Sequence, residues 1–246
     1  MPIPTDNDFF QRGDFSGFIA TGRCRIVERF QPKNAADPVI GPVRGKHFAV
    51  IDDPYGIDLT DGHRIDLHTG QPLPRPSDHD YDPVQAAQDA AAGLGSAVTE
   101  RIDHEYVDGN NRITVGADGA WLECVDVEFA PGQRLWYHWR FCRFDSMPFN
   151  DFAMFLAYPD GDTNIAASHI EMLCDVLTLE SSPSPRVGSN WSSPWTVGLF
   201  DPSGGFKGTL RWMSSNGQSL TGVHKNRSAL RFHRPSALLL DNFSIE

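Results

Sequence analysis

The sequence predicts an all-β fold, either a sandwich or a barrel of many short strands. Runs rich in Val, Ile, Phe and Trp recur along the chain, and clusters of Gly, Pro, Asn and Asp separate them. The 22 Gly and 18 Pro among 246 residues suit many strands joined by turns. Apolar residues make up 40% of the chain and include 16 Phe and 6 Trp, which is enough for one core. We therefore expect a single domain over residues 1–246.

Ten segments carry the strand pattern, and most alternate apolar with polar residues or are continuously apolar. In chain order they are 24–30, 46–52, 121–129, 135–144, 152–158, 167–179, 195–200, 206–213, 228–233 and 237–245.

One helix and one long loop interrupt this series. The segment 53–82 is rich in Pro, Asp and His, lacks apolar periodicity and predicts a long loop. Asp82 is suited to cap a helix over 83–93, with Pro83 at its first position and Gly93 at its end.

The segments 121–129 and 135–144 predict a β-hairpin closed by a turn at 131–133, with Gly132 at positive φ. Alternation assigns Val125, Val127 and Phe129, together with Tyr137, Trp139 and Phe141, to the core. Parity then assigns the neighbouring residues to the opposite face: Cys124, Asp126, Glu128, Trp136, His138, Arg140 and Cys142. In one register Cys124 lies opposite Cys142, and a cross-strand disulfide could form; a register shifted by two residues removes it. The four cysteines fit no C-x-x-C-type metal-binding spacing, and reduced thiols are otherwise expected.

This polar face is the first candidate binding surface. A Trp136 ring beside the polar groups of His138, Arg140, Asp126 and Glu128 suits sugar recognition, in which C–H groups stack on the indole. The alternative is a solvated sheet face carrying the ion pairs Asp126–Arg140 and Glu128–His138. Trp191, in a loop rich in Ser, Asn and Gly, is a second candidate platform for a ligand.

Charge and motifs narrow the function. The net charge of −11 argues against a nucleic-acid partner, which requires clustered Lys and Arg, and is compatible with cation binding. No apolar stretch is long enough to span a bilayer, so membrane insertion is not expected, and no secretory signal is visible at the N-terminus. The catalytic motifs G-x-S-x-G, H-E-x-x-H, G-x-x-x-x-G-K-[ST] and G-x-G-x-x-G are absent from the sequence. These observations favour a non-catalytic protein.

Three segments together resemble a known class of domain: NDFFQRGDFSGF near the N-terminus, QRLWYHWRFCRFDSMPFNDFAMFLAYP in the middle and RPSALLLDNFSIE at the C-terminus. They are similar to galactose-binding-like jelly rolls, including carbohydrate-binding modules, and to sandwich domains of bacterial surface proteins and adhesins. The resemblance implies a jelly-roll β-sandwich of two antiparallel sheets whose first and last strands meet. It also implies an extracellular location and, often, a structural calcium ion.

Two groups of residues are candidate calcium ligands. Asp145, Asn150 and Asp151 follow a predicted strand within one turn, and their oxygens suit a hard cation; the alternative is a turn in which Asn and Asp bond the backbone. Asp241 with Gln11 is the second group, to which Asp14 could add a ligand, although Gln11 stands where the resemblance leads us to expect an acidic residue.

The sequence therefore predicts a non-catalytic module that binds carbohydrate or another surface ligand. A glycan-active enzyme using the same sheet face, and an interaction protein that self-associates as a homo-oligomer, are the alternatives.

Overall fold

The computed structural model describes residues 10–21, 23–32, 38–52, 55–58, 63–66, 114–144, 151–159, 168–181, 192–219 and 236–246. Its elements in chain order are β1 Ile19–Thr21, β2 Cys24–Val27, β3 Phe48–Asp52, β4 Tyr55–Asp58, β5 His63–Asp66, β6 Thr114–Phe129, β7 Leu135–Cys142, β8 Phe152–Pro159, β9 His169–Asp175, α1 Val176–Ser181, β10 Thr196–Phe200, β11 Phe206–Ser219 and β12 Ala237–Ile245.

Ten of these strands form two five-stranded antiparallel sheets. Sheet 1 has the order β1-β6-β11-β8-β9, and sheet 2 has the order β10-β7-β12-β3-β2. From β6 onward the chain passes repeatedly between the two sheets, so most neighbours in a sheet are distant in sequence, and β8 and β9 are the exception among these later strands. The predicted antiparallel β-sandwich is confirmed. The predicted strand at 228–233 and helix at 83–93 lie outside the described residues.

Aromatic residues from both sheets fill the space between them. The ring centroid of Trp212 in β11 lies 5.0 Å from that of Phe155 in β8 and 5.1 Å from that of Phe243 in β12. Tyr137 in β7 stacks on Phe243 at 6.0 Å. All four side chains are completely or almost completely buried. Each contributes roughly 1.5–3 kcal/mol through burial, so these contacts hold the sheets together.

The predicted hairpin of 121–129 and 135–144 is wrong. Gly132 does adopt a positive φ of 87° in the connecting turn, but β6 and β7 belong to different sheets. β6 pairs with β1 and β11, whereas β7 pairs with β10 and β12. Two strands that each have one apolar face can bury those faces as neighbours in the same sheet or as members of two sheets that face each other across the core. Alternation along the chain does not distinguish these arrangements.

A β-bulge in β6 also changes the predicted parity. Cys124 pairs with Leu210 and Val127 with Gly208, so two residues of β6 lie opposite one of β11, and Asp126 takes a positive φ of 53°. Cys124 consequently points into the core with Val127, and Val125 turns outward, contrary to the prediction.

The disulfide between Cys124 and Cys142 is not formed, because these residues now lie on different sheets. None of the four cysteines, all of which the structure describes, forms a disulfide. Burial raises the pKa of Cys24 and of Cys174 to about 12 and that of Cys124 to about 11, so these thiols stay protonated and unreactive at neutral pH.

Two further segments differ from expectation. The predicted strand 167–179 ends at Asp175, whose carboxylate accepts a hydrogen bond of 2.7 Å from the Thr178 amide and caps the short helix α1. Within the predicted loop 53–82, β4 and β5 form a two-stranded antiparallel ladder. Among the described residues, no helix is both long and apolar enough to cross a membrane.

Candidate binding face

Strand β7 places Trp136, His138 and Arg140 together on the outer face of sheet 2. Residues of this strand alternate between buried and half-buried, and these three are the half-buried set. The alternation follows from the pleat, because Leu135, Tyr137 and other apolar residues of β7 fill the core. The prediction that these three side chains share a face opposite the core is confirmed.

Neighbouring strands extend this surface on both sides. Leu199 of β10 pairs with Trp136, and Val197 pairs with His138. On the other side, Ser244 and Asp241 of β12 pair with Trp136 and His138 respectively. Directly paired residues in antiparallel strands have Cβ atoms about 4.5–5.5 Å apart, so their side chains are neighbours. We name the surface formed by Trp136, His138, Val197, Leu199 and Asn242 the Trp136 face.

On its β10 side, the Trp136 face exposes mainly aliphatic side chains to solvent. Val197 is 51% exposed and Leu199 is 37% exposed. The indole Nε1 of Trp136 is buried and has no hydrogen-bond acceptor among the described residues, so the accessible part of the half-buried ring is apolar. Such a surface suits stacking against an apolar face of a ligand.

The opposite side of this face is polar. The side-chain amide nitrogen of Asn242 lies 3.2 Å from Nδ1 of His138, and the two groups form a hydrogen-bonded pair. Asn242 adopts a positive φ of 50° at the point where β12 shifts register against β7, between Asp241 and Ser244. The irregularity turns Asn242 toward His138, and the pair supplies a hydrogen-bonding edge beside Trp136.

Asp241 fixes the backbone next to the pair of His138 and Asn242 through hydrogen bonds. Its Oδ2 accepts hydrogen bonds from the amides of Val43 at 2.6 Å and Arg44 at 3.1 Å, and its Oδ1 accepts one from the Asn242 amide at 2.7 Å. Burial raises the pKa of this carboxyl above 3.8, while these amides and the nearby His138 lower it. Asp241 therefore anchors the 43–44 segment next to the Trp136 face.

Arg140 marks the far end of this surface. Its Nη2 donates a 2.8 Å hydrogen bond to the Ser192 hydroxyl, while its buried Nε has no partner within the described part of the chain. Burial lowers the pKa of the guanidinium, and the nearby Cys142 opposes that shift. Beyond Arg140 the outer face of sheet 2 carries an apolar cluster: Phe30, Ile40, Phe48, Val50, Cys142, Ala237 and Leu239, with Val27, Phe144 and Trp195 packed against it.

The predicted contribution of Asp126 and Glu128 to this face is wrong. Both residues are exposed on β6, which belongs to sheet 1, on the opposite side of the sandwich. The alternative ion pairs with Arg140 and His138 are excluded for the same reason. The separation follows from the passage of the chain from sheet 1 to sheet 2 after Phe129.

The calcium candidates fall into two groups. Asp145 and Asn150, like the candidate ligand platform Trp191, lie outside the described residues. Asp151 is completely buried, and its Oδ2 accepts hydrogen bonds from both the amide (3.1 Å) and the hydroxyl (2.6 Å) of Ser236.

Gln11 and Asp241 are brought to the same loop. The Gln11 carbonyl accepts a 2.6 Å hydrogen bond from the Lys46 amide, and its side-chain N–H donates to the backbone oxygens of His47 at 3.1 Å and Arg44 at 3.4 Å. Gln11 and Asp241 thus hold the 43–47 loop through backbone groups. Among the described residues, no cluster of three or more His, Cys, Asp or Glu side chains could hold a metal ion. Calcium binding stays a prediction.

The sequence does not predict one cluster of polar and aromatic side chains, because its members come from three different strands. On the outer face of sheet 1, the guanidinium of Arg211 bonds the Glu123 carboxylate, with Nε 2.7 Å from Oε1. The guanidinium carbon also lies 4.9 Å from the ring centroid of Trp121 and 5.1 Å from that of Tyr158. Burial raises the pKa of Tyr158 to about 12. The pairing of β6, β8 and β11 creates this cluster, and no local sequence motif predicts it.

A second constellation lies between the edge strands β9 and β10. The Tyr137 hydroxyl donates a 3.4 Å hydrogen bond to Glu171, whose carboxylate is 3.9 Å from Nε2 of His169. Burial, followed by the charge of Glu171, raises the pKa of Tyr137 well above 10. The His169 ring packs on Phe155 and Phe200. The arrangement gives the buried tyrosine hydroxyl a partner at the margin of the core.

Comparison of the sequence with models of known protein families finds no match, and comparison with curated proteins finds no significant match either.

Proposed function

We propose that this chain is a non-catalytic binding module and that it binds carbohydrate at the Trp136 face. The supporting observation is the combination of an accessible apolar ring at Trp136 with the hydrogen-bonding pair of His138 and Asn242 on one sheet face. A pyranose presents C–H groups on one side and hydroxyls at its rim, so it requires an apolar platform next to polar groups.

The arrangement favours binding over catalysis. Most glycoside hydrolases use two carboxyl groups that flank the scissile bond. The two acidic residues that the sequence assigned to this face, Asp126 and Glu128, belong to the other sheet. Asp241, which does lie beside His138, uses both carboxylate oxygens to accept backbone hydrogen bonds.

Glycan-array screening followed by calorimetric titration of each hit tests this proposal. We expect Trp136→Ala to weaken binding at least about tenfold, a change of about 1.4 kcal/mol. Trp136→Phe keeps an aromatic ring and should stay within a few-fold of the parent chain. Ile19→Ala removes another exposed aliphatic side chain, on sheet 1, and should leave binding unchanged.

Folding of each variant is checked by its denaturation midpoint, because Trp136 is half-buried. A chain that binds no glycan on a broad panel, or a folded Trp136→Ala variant that binds as tightly as the parent, would overturn the proposal.

A further inference from the structure

β10 is an outer strand of sheet 2 in the described part of the chain. β10 pairs with β7 over five consecutive residues without a register shift, and no described residue pairs with its other side. Natural edge strands are usually blunted by charged side chains, by proline or by a bulge, because their free N–H and C=O groups recruit other strands. The sequence TVGLF of β10 contains neither charge nor proline, and the strand is regular.

The other described sheet ends differ from β10. β2 carries Arg25, whose guanidinium is paired with Asp52, and β9 carries His169 and Glu171. β1 has only three residues. Among the outer strands of the two five-stranded sheets, β10 is therefore the one best suited to accept another strand.

We propose that two copies of this chain pair antiparallel through β10, which joins their second sheets into one continuous sheet across a two-fold axis. A strand that pairs with itself about Gly198 places Val197 opposite Leu199 of the second copy. The four aliphatic side chains, all exposed in the single chain, then cover one another on the outer face.

The charged residues near β10 are compatible with pairing to a second copy of the chain. In this register Thr196 lies opposite Phe200, and Asp201 lies opposite Trp195, so no like charges oppose each other. Asp201 is moreover already neutralised by Arg134, with Nε 2.7 Å from Oδ2.

Pairing about an axis perpendicular to the sheet keeps both outer faces on the same side. In the dimer the two Trp136 faces therefore meet at Val197 and Leu199, and their Trp136 rings lie on the same side of the joined sheet. The pairing itself depends on β10 alone and not on the ligand.

Sedimentation velocity over a concentration series tests the dimer. We expect the mass to rise from 27.3 kDa toward twice that value, and more readily in salt, because each chain carries a net charge of −11. Val197→Lys should raise the dissociation constant at least about tenfold, since it places a charge against an aliphatic residue. Ile19→Lys, an equally exposed position on another edge strand, should leave it unchanged.

A charge exchange tests the register. The double variant Val197→Lys/Leu199→Glu places opposite charges across from each other at both symmetry-related positions and should recover self-association. Val197→Lys/Leu199→Lys should remain monomeric. A parent chain that is monomeric up to about 1 mM at moderate salt, or a dimer abolished by Ile19→Lys but not by Val197→Lys, would overturn the proposal. Failure of glycan binding would leave it standing.

Discussion

Removing the carboxylate of Glu123 should destabilise the fold far more than removing that of an exposed ion pair. The side chains of Arg211 and Glu123 are only 4% and 13% exposed. At an effective dielectric constant of about 20, opposite charges about 4 Å apart attract by about 4 kcal/mol. Loss of one partner from a buried pair typically costs about 3–5 kcal/mol, because the remaining charge stays desolvated. We therefore expect Glu123→Ala to lower the free energy of unfolding by about 3–5 kcal/mol.

The chain contains a matched control. Arg134 and Asp201 form an ion pair with a similar distance of 2.7 Å, but their side chains are 51% and 34% exposed. Asp201→Ala should cost no more than about 1 kcal/mol, because solvent screens this pair. Urea denaturation followed by far-UV circular dichroism gives both values. Equal losses for the two variants would refute the argument from burial.

A double variant separates the electrostatic contribution of the ion pair from the packing contribution of its two side chains. Arg211→Met/Glu123→Leu removes both charges and retains much of the apolar contact with Trp121 and Tyr158. It should be less destabilised than Glu123→Ala alone, because no unpaired charge is left in the interior. A double variant that is less stable than the single one would show that the ring contacts of the guanidinium dominate.

Three further outcomes follow. Gly198→Ala should cost about 1–3 kcal/mol in urea denaturation, because the new Cβ would lie 2.3 Å from Cζ of Tyr137; a loss below about 0.5 kcal/mol would contradict this contact. Asp241 has a raised pKa in the folded chain, so its contribution to stability is present below about pH 3.8 and is lost as the pH rises through the folded-state pKa. The stability of the parent chain relative to Asp241→Asn should therefore fall as the pH rises through this window, and a difference that is constant with pH would be inconsistent with the raised pKa. Calcium, predicted from the sequence, should raise the unfolding temperature of the chelated protein by several degrees, and an unchanged temperature would remove the ion from the account.

Much of the candidate face could be predicted, because strand parity is a local property. Trp136 and His138 alternate with core residues of the same strand, so the pattern along β7 alone places them outside. Val197 and Leu199 could not be assigned to the same surface, since that requires the register between β10 and β7, which are more than fifty residues apart.

The errors arose where a local pattern was extended to a partner strand. The sequence predicts Asp126 and Glu128 beside Trp136, because a short turn joins the two segments and short turns commonly close hairpins. The turn instead connects two sheets, because the long strand β11 pairs with β6 and the C-terminal strand β12 pairs with β7. The bulge at Asp126 then reversed the parity of Cys124 and Val125.

The sequence by itself determined the all-β class, the approximate position of most described strands and the face of β7 that carries Trp136. These properties depend on alternation and turn chemistry within a few residues. Only the tertiary structure decided which strands are neighbours, and with them the pairing of His138 with Asn242, the anchoring of Asp241 on the 43–44 amides and the burial of Arg211 with Glu123. The physical reason is that each of these contacts joins residues far apart in the chain, and their partners are selected by the collective burial of both sheets rather than by any local preference.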